Sequence, residues 1–142
     1  MAYVSQEMKK ELAPAIKAVL KKYGMKGSIS INHHSSLVVT ISEGGLDFTG
    51  VNRRGESIGY TATDGRFYSQ VNTYHVDKFY SGETAEFLNE LVAAMKGKTS
   101  RGEWYDETDA MIDYFDIAYY VNVNVGKWNK GYIYTGEEAI AA

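Results

Sequence analysis

Apolar residues recur every three or four positions in two segments of the chain, which is the spacing of one face of an α-helix. The first segment runs from Gln6 to Tyr23 behind Ser5, a residue type that caps helix N-termini. Pro14 falls on its polar face, where water can hydrogen-bond to the carbonyl that loses its amide donor. A kink or break is expected there. The second segment follows Ser81 and ends at Gly97. The pattern therefore predicts two amphipathic helices.

Alternation of apolar and polar residues predicts strands in the rest of the chain. Residues 28–32 and 37–41 alternate on either side of the turn-like residues 33–36, so they are expected to form an antiparallel hairpin. Residues 119–125 alternate most clearly and predict a half-buried strand, with a short final strand at 132–134. Two less regular runs, expected as a third strand or bulged extension and as a short extended segment, are 46–49 and 67–74.

No apolar period is visible between residues 50 and 66, where glycines and charged residues predict the longest loop of the chain. The order is thus helix, two or three strands, long loop, helix, acidic segment and two strands. That order predicts an α+β fold with two layers, in which an antiparallel β-sheet carries the two main helices mostly on one face. The 142 residues suffice for one domain with its own core, residues 1–142, with frayed ends at 1–4 and 137–142.

The composition excludes several classes of protein. The chain contains no cysteine, which excludes disulfides, thiolate metal sites and cysteine nucleophiles and favours a reducing cytoplasm. The N-terminus lacks the apolar core of a signal peptide, and no apolar run approaches the roughly 18 residues of a membrane span, so we expect a cytoplasmic protein without membrane contact. No P-loop, dinucleotide fingerprint, nucleophile elbow or zincin motif occurs. No catalytic residue, metal ligand or cofactor is predicted.

Charge is unevenly distributed, although the formal net charge is only −3. Residues 1–34 hold six lysines against two glutamates, whereas residues 103–142 hold eight carboxylates against two lysines. Three of these carboxylates, at spacings of four and three, would share one face of a helix: Asp109, Asp113 and Asp116. They could mimic phosphates toward a basic partner or bind Mg²⁺ or Mn²⁺, although solvated carboxylates near a helix N-terminus explain them as well.

Two further candidate surfaces follow from aromatic and basic residues. Trp128 beside Lys127 is a candidate anchor for a protein partner, although a cap on the edge of the core explains it equally well. Aromatic residues interleaved with arginines in and after the long loop suggest nucleic acid as an alternative partner, or simply a packed loop. The candidate nucleic-acid contacts are Lys17, Lys21, Lys22, Arg53, Arg54 and Arg66. A metal-dependent nuclease that combines the acidic segment with His33, His34 or His75 is a third hypothesis.

Three stretches of the chain are similar to a known family. They are residues 20–31 (LKKYGMKGSISI), residues 87–95 (FLNELVAAM) and residues 113–132 (DYFDIAYYVNVNVGKWNKGY). Together they resemble the large polyvalent protein-associated domain family of phages and conjugative elements, and the block that ends in Gly-Lys-Trp-Asn is the most specific part. The resemblance implies a role in establishing a mobile element in a new host or in protecting it against host defences, and it assigns no catalytic residue.

These observations together predict a small accessory protein of a phage or mobile element that acts by binding. Antagonism of a host defence protein through direct contact is the leading hypothesis, with the three aspartates, Lys127 and Trp128 as the contacts. Nucleic-acid binding is the alternative, and the sequence leaves both a monomer and a homodimer open.

Overall fold

The computed structural model describes residues 3–48, 59–71, 73, 76–80, 82–100, 102–106 and 117–135, apart from the side chains of residues 77 and 78. Within these residues the helices and strands, in chain order, are α1 (Gln6–Lys22), β1 (Lys26–Asn32), β2 (Ser36–Gly44), β3 (Tyr60–Thr61), β4 (Phe67–Val71), α2 (Val76–Phe79), α3 (Gly82–Met95), β5 (Tyr120–Val125) and β6 (Ile133–Tyr134). The strands form one six-stranded sheet in the order β1-β2-β5-β4-β3, with β6 alongside β2 beyond the end of β5. The α+β class predicted from the sequence is therefore confirmed.

The first helix, α1, has a defined cap at each end. The Ser5 hydroxyl accepts a hydrogen bond from the Met8 amide at 3.1 Å. At the other end Gly24 adopts a left-handed conformation (φ 67°), and the amides of Gly24 and Met25 donate to carbonyls of the last turn, which closes the helix as a Schellman motif. The helix runs through Pro14 without a break, because this residue lies on the exposed face, where water can solvate the carbonyl that loses its partner.

The core contains one face of the sheet and one face of each long helix. The sheet contributes buried aliphatic side chains from its two central strands: Leu37, Val39, Ile41, Val121, Val123 and Val125. The helices contribute an apolar stripe each: Met8, Leu12, Ile16 and Leu20 from α1, and Phe87, Leu88, Leu91 and Met95 from α3. All of these residues belong to a single cluster. Removal of their surface from water is the main favourable contribution to folding.

The sheet is mixed, whereas the sequence pattern predicts an antiparallel one. β1 pairs antiparallel with β2, and β4 pairs antiparallel with β5, but β2 and β5 run parallel, from Ser36 opposite Tyr120 to Ile41 opposite Val125. Apolar and polar residues alternate in the same way along a strand whether it pairs parallel or antiparallel with its neighbour. Strand direction is decided by the connection, and here a long path through β3, β4 and α3 separates β2 from β5.

The structure changes two of the predictions, one of a strand and one of a loop. The described residues of the run 46–49 form no strand, and Leu46 and Phe48 enter the core from an irregular segment. The predicted loop 50–66 ends in a hairpin, because β3 pairs with the start of β4. The other predicted helices and strands lie within three residues of their observed ends.

The face of the sheet opposite the core carries mostly small polar side chains. The register aligns three rows of side chains across β1, β2 and β5: Ser28, Thr40 and Asn124; Ser30, Val38 and Asn122; Asn32, Ser36 and Tyr120. Because successive side chains of a strand point to opposite faces, these rows point away from the core face. We call this side of the sheet the outer face.

Candidate binding surface at Trp128

β5 and β6 both run parallel to β2, and the residues between them leave the sheet as a tight turn. The Gly126 amide still donates to the Ile41 carbonyl at 2.7 Å, after which Lys127 and Lys130 exchange backbone hydrogen bonds of 2.8 and 3.2 Å. Trp128 lies within this turn and is 65% exposed. Gly126 is required at its start, because its φ is 68° and a Cβ there would lie 2.5 Å from a backbone nitrogen.

A second turn, between β3 and β4, holds the Trp128 turn in place. The Asp64 carboxylate accepts hydrogen bonds from the Gly131 amide at 3.0 and 3.2 Å and from the Arg66 amide at 3.0 Å. The Thr63 amide donates to the Trp128 carbonyl at 2.8 Å. The hydrogen bond from the Arg66 amide, together with that from Gly131, lowers the pKa of Asp64, so this carboxylate is ionised at neutral pH. Two turns that are far apart in sequence are thereby joined.

The two turns place basic residues beside an exposed indole. We define the Trp128 surface as Arg66, Lys127, Trp128 and Lys130. Both lysines are exposed, and the Arg66 side chain is 51% exposed even though its guanidinium pairs with Asp64 at 3.3 Å. The positive charges of Arg66, Lys127 and Lys130 therefore exceed the single negative charge of Asp64 beside them. An exposed aromatic ring with an excess of positive charge suits a partner that is both anionic and partly apolar.

An open cleft of about 440 Å³ shares Arg66 with this surface. Its lining consists of Asp47, Phe48, Arg66, Phe67, Tyr132, Ile133 and Tyr134. The Phe48 and Tyr132 rings meet edge to face at 5.2 Å, and the Tyr132 hydroxyl donates to the Leu46 carbonyl at 2.8 Å. These lining residues give the cleft aromatic walls.

The described residues that are predicted to contact nucleic acid lie on different elements. Lys17, Lys21 and Lys22 are exposed on α1, whereas Arg66 follows the turn between β3 and β4, at the end of the strand order opposite β1. Lys22 also forms an ion pair with Glu90 of α3 at 2.9 Å. Arg66 and the three lysines therefore lie on different elements, and Lys22 has an acidic neighbour.

The surroundings of Tyr23 are acidic as well. Its hydroxyl donates a hydrogen bond to the Glu90 carboxylate, and this bond is the main reason that the pKa of Tyr23 rises to about 12. The same bond, with help from Lys22, lowers the pKa of Glu90. Glu83 and Glu86 add negative potential at the Tyr23 hydroxyl. The C-terminal end of α1 thus lies beside three carboxylates of α3.

Five of the predicted contact residues lie outside the described part of the chain: Asp109, Asp113, Asp116, Arg53 and Arg54. His75 lies outside it too, and His33 and His34 occupy the turn between β1 and β2 with φ values of 53° and 58°. Among the residues that the structure describes, no three His, Asp or Glu side chains come together as metal ligands. In those same ranges, no helix is long and apolar enough to cross a membrane.

Sequence reasoning selects Trp128 and Lys127 as candidate contacts, but it does not select Asp64 or Lys130. Asp64 lies in the triplet Thr-Asp-Gly, a local turn signal that could have located the turn. No local signal indicates its hydrogen bond to Gly131, because the two residues are 67 positions apart. Lys130 becomes a candidate only once its backbone pairing with Lys127 places both lysines in one turn.

Comparison of the chain with protein-family models, with curated proteins and with solved structures returns no significant match. The family resemblance of residues 20–31, 87–95 and 113–132 therefore stays a prediction. The Trp128 surface is interpreted from its own geometry and charge.

Proposed function

We propose that this protein acts by binding a macromolecular partner through the Trp128 surface, and that the partner is a host defence protein in the cytoplasm. The supporting observation is that Trp128 is 65% exposed while its turn is held by hydrogen bonds from Thr63 and to Asp64. Tryptophan is enriched among the residues that dominate interface energies, and an ordered turn loses little entropy on binding. An exposed indole on a turn that is already ordered has the properties of an interface anchor.

The class of partner rests on the family resemblance, which implies protection of a mobile element against host defences. Charge adds a further constraint, because Arg66, Lys127 and Lys130 favour a partner with an acidic patch beside an apolar pocket. The acidic segment stays a separate candidate for contact with a basic partner, since Asp109, Asp113 and Asp116 lie outside the described residues.

Replacing the indole tests this proposal. The tagged protein would be used to capture partners from nuclease-treated host lysate, and the captured proteins would be quantified by mass spectrometry. We expect the wild-type protein to enrich a defined host protein and Trp128→Ala to reduce its recovery at least about tenfold, because truncation of a central aromatic anchor costs about 2 kcal/mol or more.

Tyr120→Ala is the matched control for this experiment. Tyr120 is 44% exposed and lies at the start of β5, whereas the Trp128 turn follows the end of that strand. The control should leave recovery of the host protein unchanged. Equal recovery with wild-type protein and Trp128→Ala, with both variants folded by circular dichroism, would contradict the proposal.

Single-stranded nucleic acid is the second candidate partner, favoured by the combination of the exposed indole with Arg66, Lys127 and Lys130. Bases would stack on Trp128 while the basic side chains neutralise phosphates. Fluorescence anisotropy with labelled oligonucleotides should then show an affinity that falls steeply with added salt and weakens in Lys127→Gln/Lys130→Gln. Absence of binding to DNA and RNA oligonucleotides at low salt would eliminate this candidate.

A further inference from the structure

β1 forms one edge of the sheet, and within the part of the chain that the structure describes it pairs only with β2. Every residue of β1 is exposed or half-buried. Natural edge strands are commonly protected by proline, charge or a bulge, which prevent pairing with another chain. In β1 the only irregularity lies between Lys26 and Gly27, and Lys26 is the only charged residue. Residues 27–32 therefore form an unprotected edge.

The register shows which backbone groups of β1 point out of the sheet. The Tyr120 amide donates to the Ser35 carbonyl at 2.8 Å, and the Gly126 amide donates to the Ile41 carbonyl at 2.7 Å. Odd-numbered residues of β2 therefore direct their backbone groups toward β5, and even-numbered residues direct theirs toward β1. The β1 residues opposite these even-numbered positions are Ser28, Ser30 and Asn32. The β1 residues that direct N–H and C=O groups away from β2 are accordingly Gly27, Ile29 and Ile31.

We propose that β1 pairs with β1 of a second copy of this chain, antiparallel and with Ile29 on the two-fold axis. The outward backbone groups are symmetric about this residue. Ile29 would face Ile29 of the second copy, and Gly27 would face Ile31 in both directions. Each of these facing pairs exchanges two backbone hydrogen bonds in an antiparallel ladder. A two-fold axis at Gly27 or Ile31 would leave fewer such pairs.

The side chains of β1 are compatible with this register. On the outer face, Ser28 lies opposite Ser30 of the second copy. Lys26 lies opposite Asn32, so the axis brings no like charges together. On the inner face, Ile29 and Ile31 already pack against the core while partly exposed, and pairing would remove more of their surface from water. The isologous pairing is thus self-complementary in both hydrogen bonding and charge.

Strand pairing alone makes a small interface. It buries less than the roughly 1,200 to 2,000 Å² of total surface that stable interfaces bury. We therefore expect a reversible dimer with a dissociation constant of the order of micromolar, observed by sedimentation equilibrium as a mass that rises from one copy to two with concentration. A monomeric mass throughout the micromolar to submillimolar range would overturn the proposal.

Two double variants test the register by charge. Ser28→Lys/Ser30→Lys places lysine opposite lysine on both sides of the axis and should weaken association roughly tenfold or more. Ser28→Lys/Ser30→Glu places lysine opposite glutamate and should restore or strengthen the dimer. Both positions are exposed on the outer face, so thermal unfolding should remain similar to that of the wild-type protein. Equal association of the two double variants would show that another surface or another register holds the copies together and would overturn the proposal.

The absence of cysteine from the chain allows a direct test of the facing residues. Ser28→Cys and Ser30→Cys would be prepared separately and mixed in a glutathione redox buffer. In the proposed register the two positions form a non-hydrogen-bonded pair with Cα atoms about 4.5 Å apart, close enough for a disulfide. We expect the mixed disulfide to exceed both self-linked dimers. No excess of the mixed product would overturn the register, and because the test is independent of Trp128 it leaves the proposed function untouched.

Discussion

At Gly24 the backbone conformation matters more than the space around the residue. Its φ is 67°, and a Cβ built there would meet no atom within 4 Å. Gly24→Ala should therefore lower the free energy of unfolding by about 1 kcal/mol through left-handed strain alone, without a steric clash. Urea denaturation monitored by circular dichroism would measure this loss.

Asparagine provides the control at the same position. Asparagine tolerates the left-handed conformation better than alanine, so Gly24→Asn should be less destabilising than Gly24→Ala. If both variants lost the same free energy of unfolding, or if alanine lost none, strain at Gly24 would not be what closes α1.

Residues that act within one helical turn are the ones the sequence predicts best. Ser5 is predicted as the N-cap of α1, and it acts as the N-cap in the structure. Asp64 shows the limit of such prediction, because it accepts hydrogen bonds both from Arg66, two positions away, and from Gly131, across the fold. The nearby bond follows from turn chemistry, whereas the distant bond exists only once the two turns meet.

At the scale of elements, Asp64 links the β3–β4 turn to the Trp128 turn, and this link should depend on pH. The folded state lowers the pKa of Asp64, so its contribution is present above the ordinary value of 3.8 and is lost as pH falls through the lowered value. In an NMR titration, the Gly131 amide should therefore shift with a midpoint below 3.8. Protonation of Asp64 weakens the acceptor that this amide uses.

Asp64→Asn is the control for the titration, because an amide has no charge to lose in this range. The low-pH shift of the Gly131 amide should disappear in this variant. A midpoint at or above the ordinary aspartate value in the wild-type protein would show that the link between the two turns does not stabilise the ionised carboxylate.

Element type is predicted well from the sequence, but strand direction is not. Helical spacing and strict alternation are properties of short segments, and both long helices and the strands β1, β2 and β5 are confirmed. The parallel pairing of β2 with β5 has no local signal, since both orientations bury the same alternating side chains. The irregular segment at Leu46 and Phe48 is buried by tertiary contacts that override its weak alternation.

For the whole molecule, buried tyrosines predict a loss of stability at alkaline pH. Burial raises the pKa of Tyr119 to about 12 and raises that of Tyr132 as well. Their hydroxyls donate to the carbonyls of Met95 and Leu46, which requires the protonated form. Because the folded pKa values lie above the ordinary value of 10.0, this stabilisation is present below pH 10 and is lost as pH rises through the folded values.

Urea denaturation at increasing alkaline pH would measure this effect. We expect the free energy of unfolding to fall above pH 10 and the tyrosinate absorbance of the buried rings to appear only with unfolding. Tyr119→Phe should lower the free energy of unfolding by roughly 1 to 2 kcal/mol at neutral pH, because the Met95 carbonyl loses its donor. In this variant the free energy of unfolding should also fall less between neutral and alkaline pH. A free energy of unfolding that stays constant through this range would contradict the prediction.

Local patterns in the sequence predict the α+β class, both long helices, the N-cap of α1 and the alternating central strands, and they select Trp128 as a candidate contact. Each of these depends on spacing or conformation within a few residues. The mixed sheet, the hydrogen bonds that join the Asp64 and Trp128 turns, the exposure of Trp128 and the position of β1 at the edge of the described sheet are visible only in the folded chain. These features depend on which distant segments meet, and such contacts are set by the packing of the whole core rather than by any local pattern.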